Sequence, residues 1–296
     1  MKGHWIGWLL AASSVTAFAT TFVCGSSLTK TDGVSPAVLA CLRFVVACAL
    51  QAPFVLGSAR GRQRYLLAPT RRDWILFATL GPVGTSLMAW CVFEGCARVS
   101  TANASMADAL APLFIFFAGF ALSRRIGPWQ VVGCVTGFVG ALLVVGVING
   151  DGVALDAYST GDVFILLAAL TWAFYSVLGR KAIKRLGADV FSFWTMASGA
   201  FTMGLVLPFG SFSWPAAAQA WGQVALLSTV CTLFAFWAWN AAQRHLSVTS
   251  LAMSAYFTPV AALVLAFLAL GEKPTALQLL GVTLVAASAV VELDRK

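Results

Sequence analysis

Ten apolar runs, each about 20 residues long and parted by short polar breaks, set the limits on what this chain can fold into. They fall at roughly 5–25, 36–57, 74–94, 101–122, 128–148, 160–179, 190–210, 219–240, 247–270 and 275–293. A helix rising about 1.5 Å per residue needs about 20 residues to cross a bilayer's hydrocarbon. Within lipid the backbone has no water to bond, so only helices and closed barrels span it. Barrel strands run about ten residues with strict alternation, and these runs are too long and too poor in turn residues. The expected fold is an all-α membrane protein with ten transmembrane helices. Composition agrees, with 60% hydrophobic and 10% charged residues against about 25% charged in a typical soluble domain. A large soluble domain, a DNA-binding protein and a disordered tail are excluded. The bilayer is the expected partner and nucleic acid is not, despite a formal charge of +8.

The charge distribution gives an orientation. With the N-terminus inside and the helices alternating, fifteen of the nineteen Lys and Arg fall in inner segments: Lys2, residues 60–72, Arg124 and Arg125, residues 180–185, Arg244, Arg295 and Lys296. Only Lys30, Arg98 and Lys273 fall outside, and Arg43 lies within a helix. Such a bias follows the positive-inside rule and places both termini in the cytoplasm. Ala17-Phe18-Ala19 has the form of a signal-peptidase site, but the apolar run continues through Cys24, so helix 1 is expected to be retained.

The two halves resemble each other. At a shift of 147 residues Thr85 meets Thr232, Trp90 meets Trp237, Met106 meets Met253 and Pro112 meets Pro259. At 148, Gln130 meets Gln278 and Gly133 meets Gly281. Five helices per half is an odd number, so successive copies enter the membrane in opposite directions. The expected organisation is two inverted five-helix repeats, residues 1–148 and 160–296, with a substrate site between them near mid-depth.

Few residues carry chemistry. Asp108 lies about seven residues into the fourth run, roughly 10 Å along the axis, and an acid at that depth is costly enough to suggest function. Thr101, Ser105, Asp108 and Pro112 share one helical stripe. Asp108 would bind a substrate ammonium or carry a coupling proton; the alternative is a structural ion pair with Arg43 at the same depth. Arg43 could otherwise hold a substrate carboxylate through its planar fork. Trp90, Trp237, Trp172, Tyr175 and Tyr256 could bind cations or planar rings, the plain alternative being interface anchoring or packing. Asn240 and Ser254 are polar candidates that equally serve helix–helix bonds. Pro112 and Pro259 break their helices near mid-depth, as hinges would. No HExxH, Cys/His cluster or Walker sequence occurs, so no metal, cofactor or ATP drive is expected. The seven cysteines read as buried thiols.

Ser35-Pro36 followed by Arg43-Phe44, Thr171-Trp172-Ala173-Phe174-Tyr175 with Arg180-Lys181, and Pro259 followed by Leu270-Gly271-Glu272, Gln278 and Gly281 carry a resemblance. They resemble the ten-helix, EamA-type branch of the drug/metabolite transporter superfamily over nearly the whole chain. The stretch Trp239-Asn240, Val248-Thr249 and Tyr256-Phe257-Thr258-Pro259 is similar to an amino-acid exporter of that branch. The resemblance implies a secondary carrier with a central cavity lined by both repeats, exporting amino acids or related metabolites from a bacterial inner membrane, and acting as a monomer. It also implies that a basic residue at Arg43 is common to the fold. A carrier for quaternary ammonium or other organic cations is the alternative within the class. A non-transporting membrane receptor or an enzyme is the alternative outside it, and no clustered acids or Ser/His or Ser/Lys dyad favour an enzyme.

Overall fold

The computed structural model describes residues 2–99, 109–123, 127–145, 148–149, 152–153, 159–209, 212–270 and 274–293. Its main helices are α1 (His4–Thr31), α2 (Pro36–Leu56), α3 (Arg71–Arg98), α4 (Ala111–Ser123), α5 (Pro128–Val145), α6 (Thr160–Leu178), α7 (Ala188–Phe209) and α8 (Ala218–Ala242). They are followed by α9 (Val248–Ala255, resuming as Phe257–Leu270) and α10 (Ala276–Leu293). Seven, namely α1, α2, α3, α5, α6, α7 and α8, are long and apolar enough to cross a membrane. Short helices Ala59–Arg62 and Arg180–Leu186 occupy connections, and Ile148–Asn149 pairs antiparallel with Gly152–Val153.

Local chemistry explains where the helices start. Thr70 with Asp73, and Ser159 with Asp162, form capping boxes at the heads of α3 and α6, satisfying backbone N–H groups that have no intrahelical partner. The amide of Gly127 donates to Gln130 Oε1 at 3.0 Å, and that of Thr275 to Gln278 Oε1 at 2.9 Å. These two glutamines are matched across the halves, and so are their roles at the heads of α5 and α10.

The halves also share a feature that hydropathy does not reveal. Pro82–Leu87 in α3 and Thr229–Phe234 in α8 are π-helical, at the same 147-residue offset. Each wide turn holds one of the matched threonines. Thr85 Oγ1 donates to the Gly81 carbonyl at 2.6 Å, and Thr232 Oγ1 to the Leu227 carbonyl at 2.7 Å. The wide turn of α3 docks on α7, where Ser86 Oγ donates to the Gly199 carbonyl at 2.5 Å. Gly199 is required there, because a Cβ would stand 2.0 Å from Thr85 Oγ1. The wide turn of α8 docks on α2, through Arg43. Likewise α5 lies against α10, where a Cβ on Gly281 would meet the Gly140 carbonyl at 2.6 Å. Small residues let these backbones approach where lipid offers no hydrophobic drive to associate.

The two bundle ends differ in character. At one, Arg64 pairs with Asp189 at 2.8 Å, Arg185 pairs with Asp73, and Arg180 donates to the Leu246 carbonyl. The basic connections around residues 60–72, 180–185 and 244–246 therefore meet. Tyr65 joins them, donating to Asp189 Oδ2 at 3.2 Å; burial first, then the Asp189 charge, pushes its phenol up to about 12 and keeps it a donor. At the opposite end Lys30 donates to the Val99 carbonyl, and Ser35 Oγ accepts from the Ser213 amide at 2.9 Å. Large apolar side chains such as Phe54, Phe201 and Phe209 point outward from the bundle.

Of the two proline helices, α9 is interrupted just ahead of its proline. In α9 the turn falls at Tyr256, whose amide bonds back to Met253. Pro259 has no N–H, and its ring excludes the carbonyl four residues earlier, that of Ala255. In α4 the turn covers Ala109–Leu110, ahead of Pro112. The first part of the fourth run, residues 101–108, lies outside the described residues, and with it Ser105 and Asp108.

Candidate functional site

A central cavity of about 70 Å³ lies where α1, α2, α3, α4, α6, α8 and α9 converge. Phe18, Thr21 and Phe22 of α1, Met88 and Val92 of α3, and Ala168 and Trp172 of α6 line it. Arg43 of α2 and Trp239 of α8 complete the wall. Its remaining side is made by Ala111 and Pro112 of α4, and by Ala255 and Thr258 of α9, which flank the turn at Tyr256.

Arg43 is 2% exposed. Its Nε donates to Thr232 Oγ1 at 2.7 Å and its Nη2 to the Cys231 carbonyl at 3.0 Å. The guanidinium carbon lies 5.2 Å from the Phe44 ring centre, 5.6 Å from Phe93 and 5.9 Å from Phe236. Among the described residues no carboxylate is within ion-pair distance and Nη1 has no acceptor. The side chain is thus fixed on two edges and leaves a cation with spare donors at the cavity wall. Thr21, also in the wall and 5% exposed, has no hydrogen-bond partner for its hydroxyl among the described residues.

The aromatic wall is ordered by ring contacts. Trp172 stacks on Tyr175 with centres 5.3 Å apart and planes at 14°, and lies 5.4 Å from Trp239. Phe18 meets Trp172 edge-on at 5.2 Å. Trp239 is locked by its Nε1 donating to Ser176 Oγ at 3.0 Å. Trp239 was not among the binding residues expected from the sequence, although it lies in the stretch that carries the resemblance to an amino-acid exporter.

The structure separates the expected residues. Arg43, Trp172 and Pro112 line the central cavity. Tyr175 and Asn240 do not: they form a fully buried network in which Asn240 Nδ2 donates to Tyr175 Oη and to Ser192 Oγ, both at 2.8 Å, and Gln243 Nε2 donates to Asn240 Oδ1 at 3.1 Å. That network sits between the aromatic wall and the basic end and joins α6, α7 and α8. Tyr256, also fully buried, packs on Gly137 of α5 with its hydroxyl 3.5 Å from Cys134 Sγ. Ser254 bonds its own helix at the Leu251 carbonyl. Pro259 sits in the first turn of the resumed α9, beside Thr258 of the wall. Trp237 is 41% exposed and contacts Phe234 instead of the cavity. Two residues along a helix is about 200°, so with Trp239 facing in, Trp237 faces out.

Trp90 lines a second, separate cleft on the other face of α3, with Glu94 and residues of α2 and α7. Neither Trp90 nor Trp237 lines the central cavity. They are matched in sequence, yet one faces a cleft and the other the bundle exterior.

The family model for the EamA-like transporter family matches the chain twice, over residues 5–146 and 159–292. A probable terminal-alkyne amino-acid exporter of Streptantibioticus cattleyicolor is 30% identical over 84% of this chain and 81% of its own length. An aromatic amino acid exporter, YddG, of Ancylobacter novellus is 24% identical over 96% of this chain and 95% of its own. An uncharacterized transporter of Archaeoglobus fulgidus is 27% identical over 81% and 82%. A crystal structure at 22% identity superposes with a TM-score of 0.76, covering 97% of this chain and 96% of that one.

Proposed function

The chain belongs to the EamA-like transporter family of the drug/metabolite transporter superfamily, and from that premise we propose that it is a secondary exporter of amino acids, with the central cavity as the substrate site. The observation that carries the proposal is Arg43, a buried cation with no carboxylate partner among the described residues, set in an aromatic cavity. A substrate carboxylate takes the free edge of Arg43. The substrate side chain lies against Phe18, Phe22, Trp172 and Trp239. Asp108 is the candidate for the substrate ammonium or a coupling proton. The relatives that export amino acids support the substrate class.

The proposed architecture is ten transmembrane helices in two inverted five-helix repeats, 1–148 and 160–296, with both termini cytoplasmic and the monomer as the working unit. The matched π turns, the matched capping glutamines and the meeting of basic connections at one end support it. Transport follows by rocking one repeat against the other around the cavity. Organic-cation transport is the competing substrate class, and the Arg43 charge in the wall opposes it.

Counterflow into proteoliposomes tests the proposal. Aromatic or aliphatic amino acids should exchange, and choline-like cations should not. Arg43→Met, which keeps the length and removes the charge, should raise the KM by about tenfold or more, since a charge-assisted contact of about 1.4 kcal/mol corresponds to that factor. Exchange of organic cations alone, or an unchanged KM in Arg43→Met, would overturn the substrate assignment.

A further inference from the structure

A cleft of about 560 Å³ opens between the first turn of α2, the outer face of α3 and the last turns of α7. Pro36, Leu87, Trp90, Glu94, Met203 and Phe212 are among its walls. It is distinct from the central cavity by helical phase. Met88 and Val92 share the face of α3 that looks into the cavity, while Trp90 and Glu94 share another, one turn apart. It lies toward the bundle end held by Lys30 with Val99 and by Ser35 with Ser213.

Glu94 is the charged residue of this cleft, with 15% of its side chain exposed. A carboxylate within a membrane-spanning helix is expensive to keep and points to function by default. Its partner Arg98 engages only Oε2; Oε1 takes no hydrogen bond from the described residues. Arg98 is also held independently, donating to the Glu94 carbonyl at 2.9 Å and lying 5.0 Å from the Phe164 ring centre. The carboxylate therefore keeps acceptor capacity without releasing its arginine. A carboxylate with an open oxygen, one turn from a tryptophan in a mainly apolar cleft that Ser35, Ser86 and Thr202 also line, recognises a cation with an apolar body.

We infer that the Trp90–Glu94 cleft is a second binding site, separate from the transport cavity, and that it takes organic amines bearing an aromatic or aliphatic body. The ammonium meets Glu94 Oε1, and the apolar body lies against Trp90, Leu87 and Met203. This inference stands on the cleft alone and does not depend on which substrate the central cavity carries.

Equilibrium dialysis of full-length protein in lipid nanodiscs, against matched empty discs, tests it with 2-phenylethylamine and its neutral counterpart 2-phenylethanol. The amine should bind saturably, and the alcohol roughly tenfold or more weakly, a ratio equivalent to about 1.4 kcal/mol. Glu94→Gln should erase the difference between the two probes, and Glu94→Asp should restore part of it. Met203→Trp, which fills the cleft from the α7 side without touching the carboxylate, should weaken both probes. Should Glu94→Gln fail to fold, Met203→Trp decides alone. Wild-type affinity for the amine in Met203→Trp, or no saturable binding to the wild type, would overturn the assignment. Transport is not the readout, so failure here and failure of amino-acid counterflow are separate results.

Discussion

Two kinds of polar side chain are buried in this molecule, and only their partners tell them apart. Arg43 has two fixed contacts and donors to spare, whereas Asn240 spends both amide hydrogens on Tyr175 and Ser192 and its oxygen on Gln243. The sequence places both in apolar runs and offers both as binding candidates. It cannot separate them, because all of these partners except Gln243 lie 48 to 189 residues away in the chain. Asn240 is better understood as the tie between α6, α7 and α8. Asn240→Ala would leave the Gln243 amide and the Tyr175 and Ser192 hydroxyls short of a partner inside the bundle, at roughly 1–3 kcal/mol for a buried polar group stranded in this way. Its thermal midpoint in detergent should fall by several degrees, while the KM for an exported amino acid stays near wild type. A raised KM with unchanged stability would instead put Asn240 at the substrate.

At the level of elements, hydropathy locates helices but not their irregularities. Seven helices reach the length the apolar runs suggested, and α9 turns just ahead of Pro259. The matched π turns of α3 and α8 were invisible, because one extra residue per turn leaves an apolar segment apolar; what the sequence did carry was Thr85 and Thr232 at a constant offset. The cavity wall includes Ala255 and Thr258 beside the α9 turn, and Arg43, which the α8 π turn receives. Irregular backbone at depth is tolerated only where protein or a wet cavity satisfies it, so their meeting at one place is informative. If the α9 break shapes the site, Pro259→Ala should close it: the new N–H can bond the Ala255 carbonyl and remove a helix defect worth about 3 kcal/mol. The expected outcome is a protein at least as stable as wild type in a thermal melt, with a transport rate reduced by roughly tenfold or more, about 1.4 kcal/mol on the rate-limiting step. Full transport with a straightened α9 would show that the break is not part of the working cycle.

Across the whole molecule, segments that the charge count groups on one side are also in contact in the fold. The count placed residues 60–72 and 180–185 on one side because they are basic. In the structure they touch, through Arg64 with Asp189 and Arg185 with Asp73, although more than a hundred residues separate them. The segments assigned to the other side, around residues 30–35, 98–99 and 213, are likewise in contact with one another. What the charge count alone supplies is which end faces the cytoplasm, and that is open to direct measurement. The seven native cysteines are buried, apart from the half-buried Cys48, so new surface thiols can be read against a quiet background. Gln63 and Lys184 are exposed at the basic end, and Thr31 and Ala216 at the other. In inside-out membrane vesicles an impermeant maleimide should label Gln63→Cys and Lys184→Cys and spare Thr31→Cys and Ala216→Cys; in intact spheroplasts the pattern should reverse. All four sites reacting from one side would contradict the spanning arrangement itself. A clean exchange of the two patterns would keep the fold and invert the protein in the membrane.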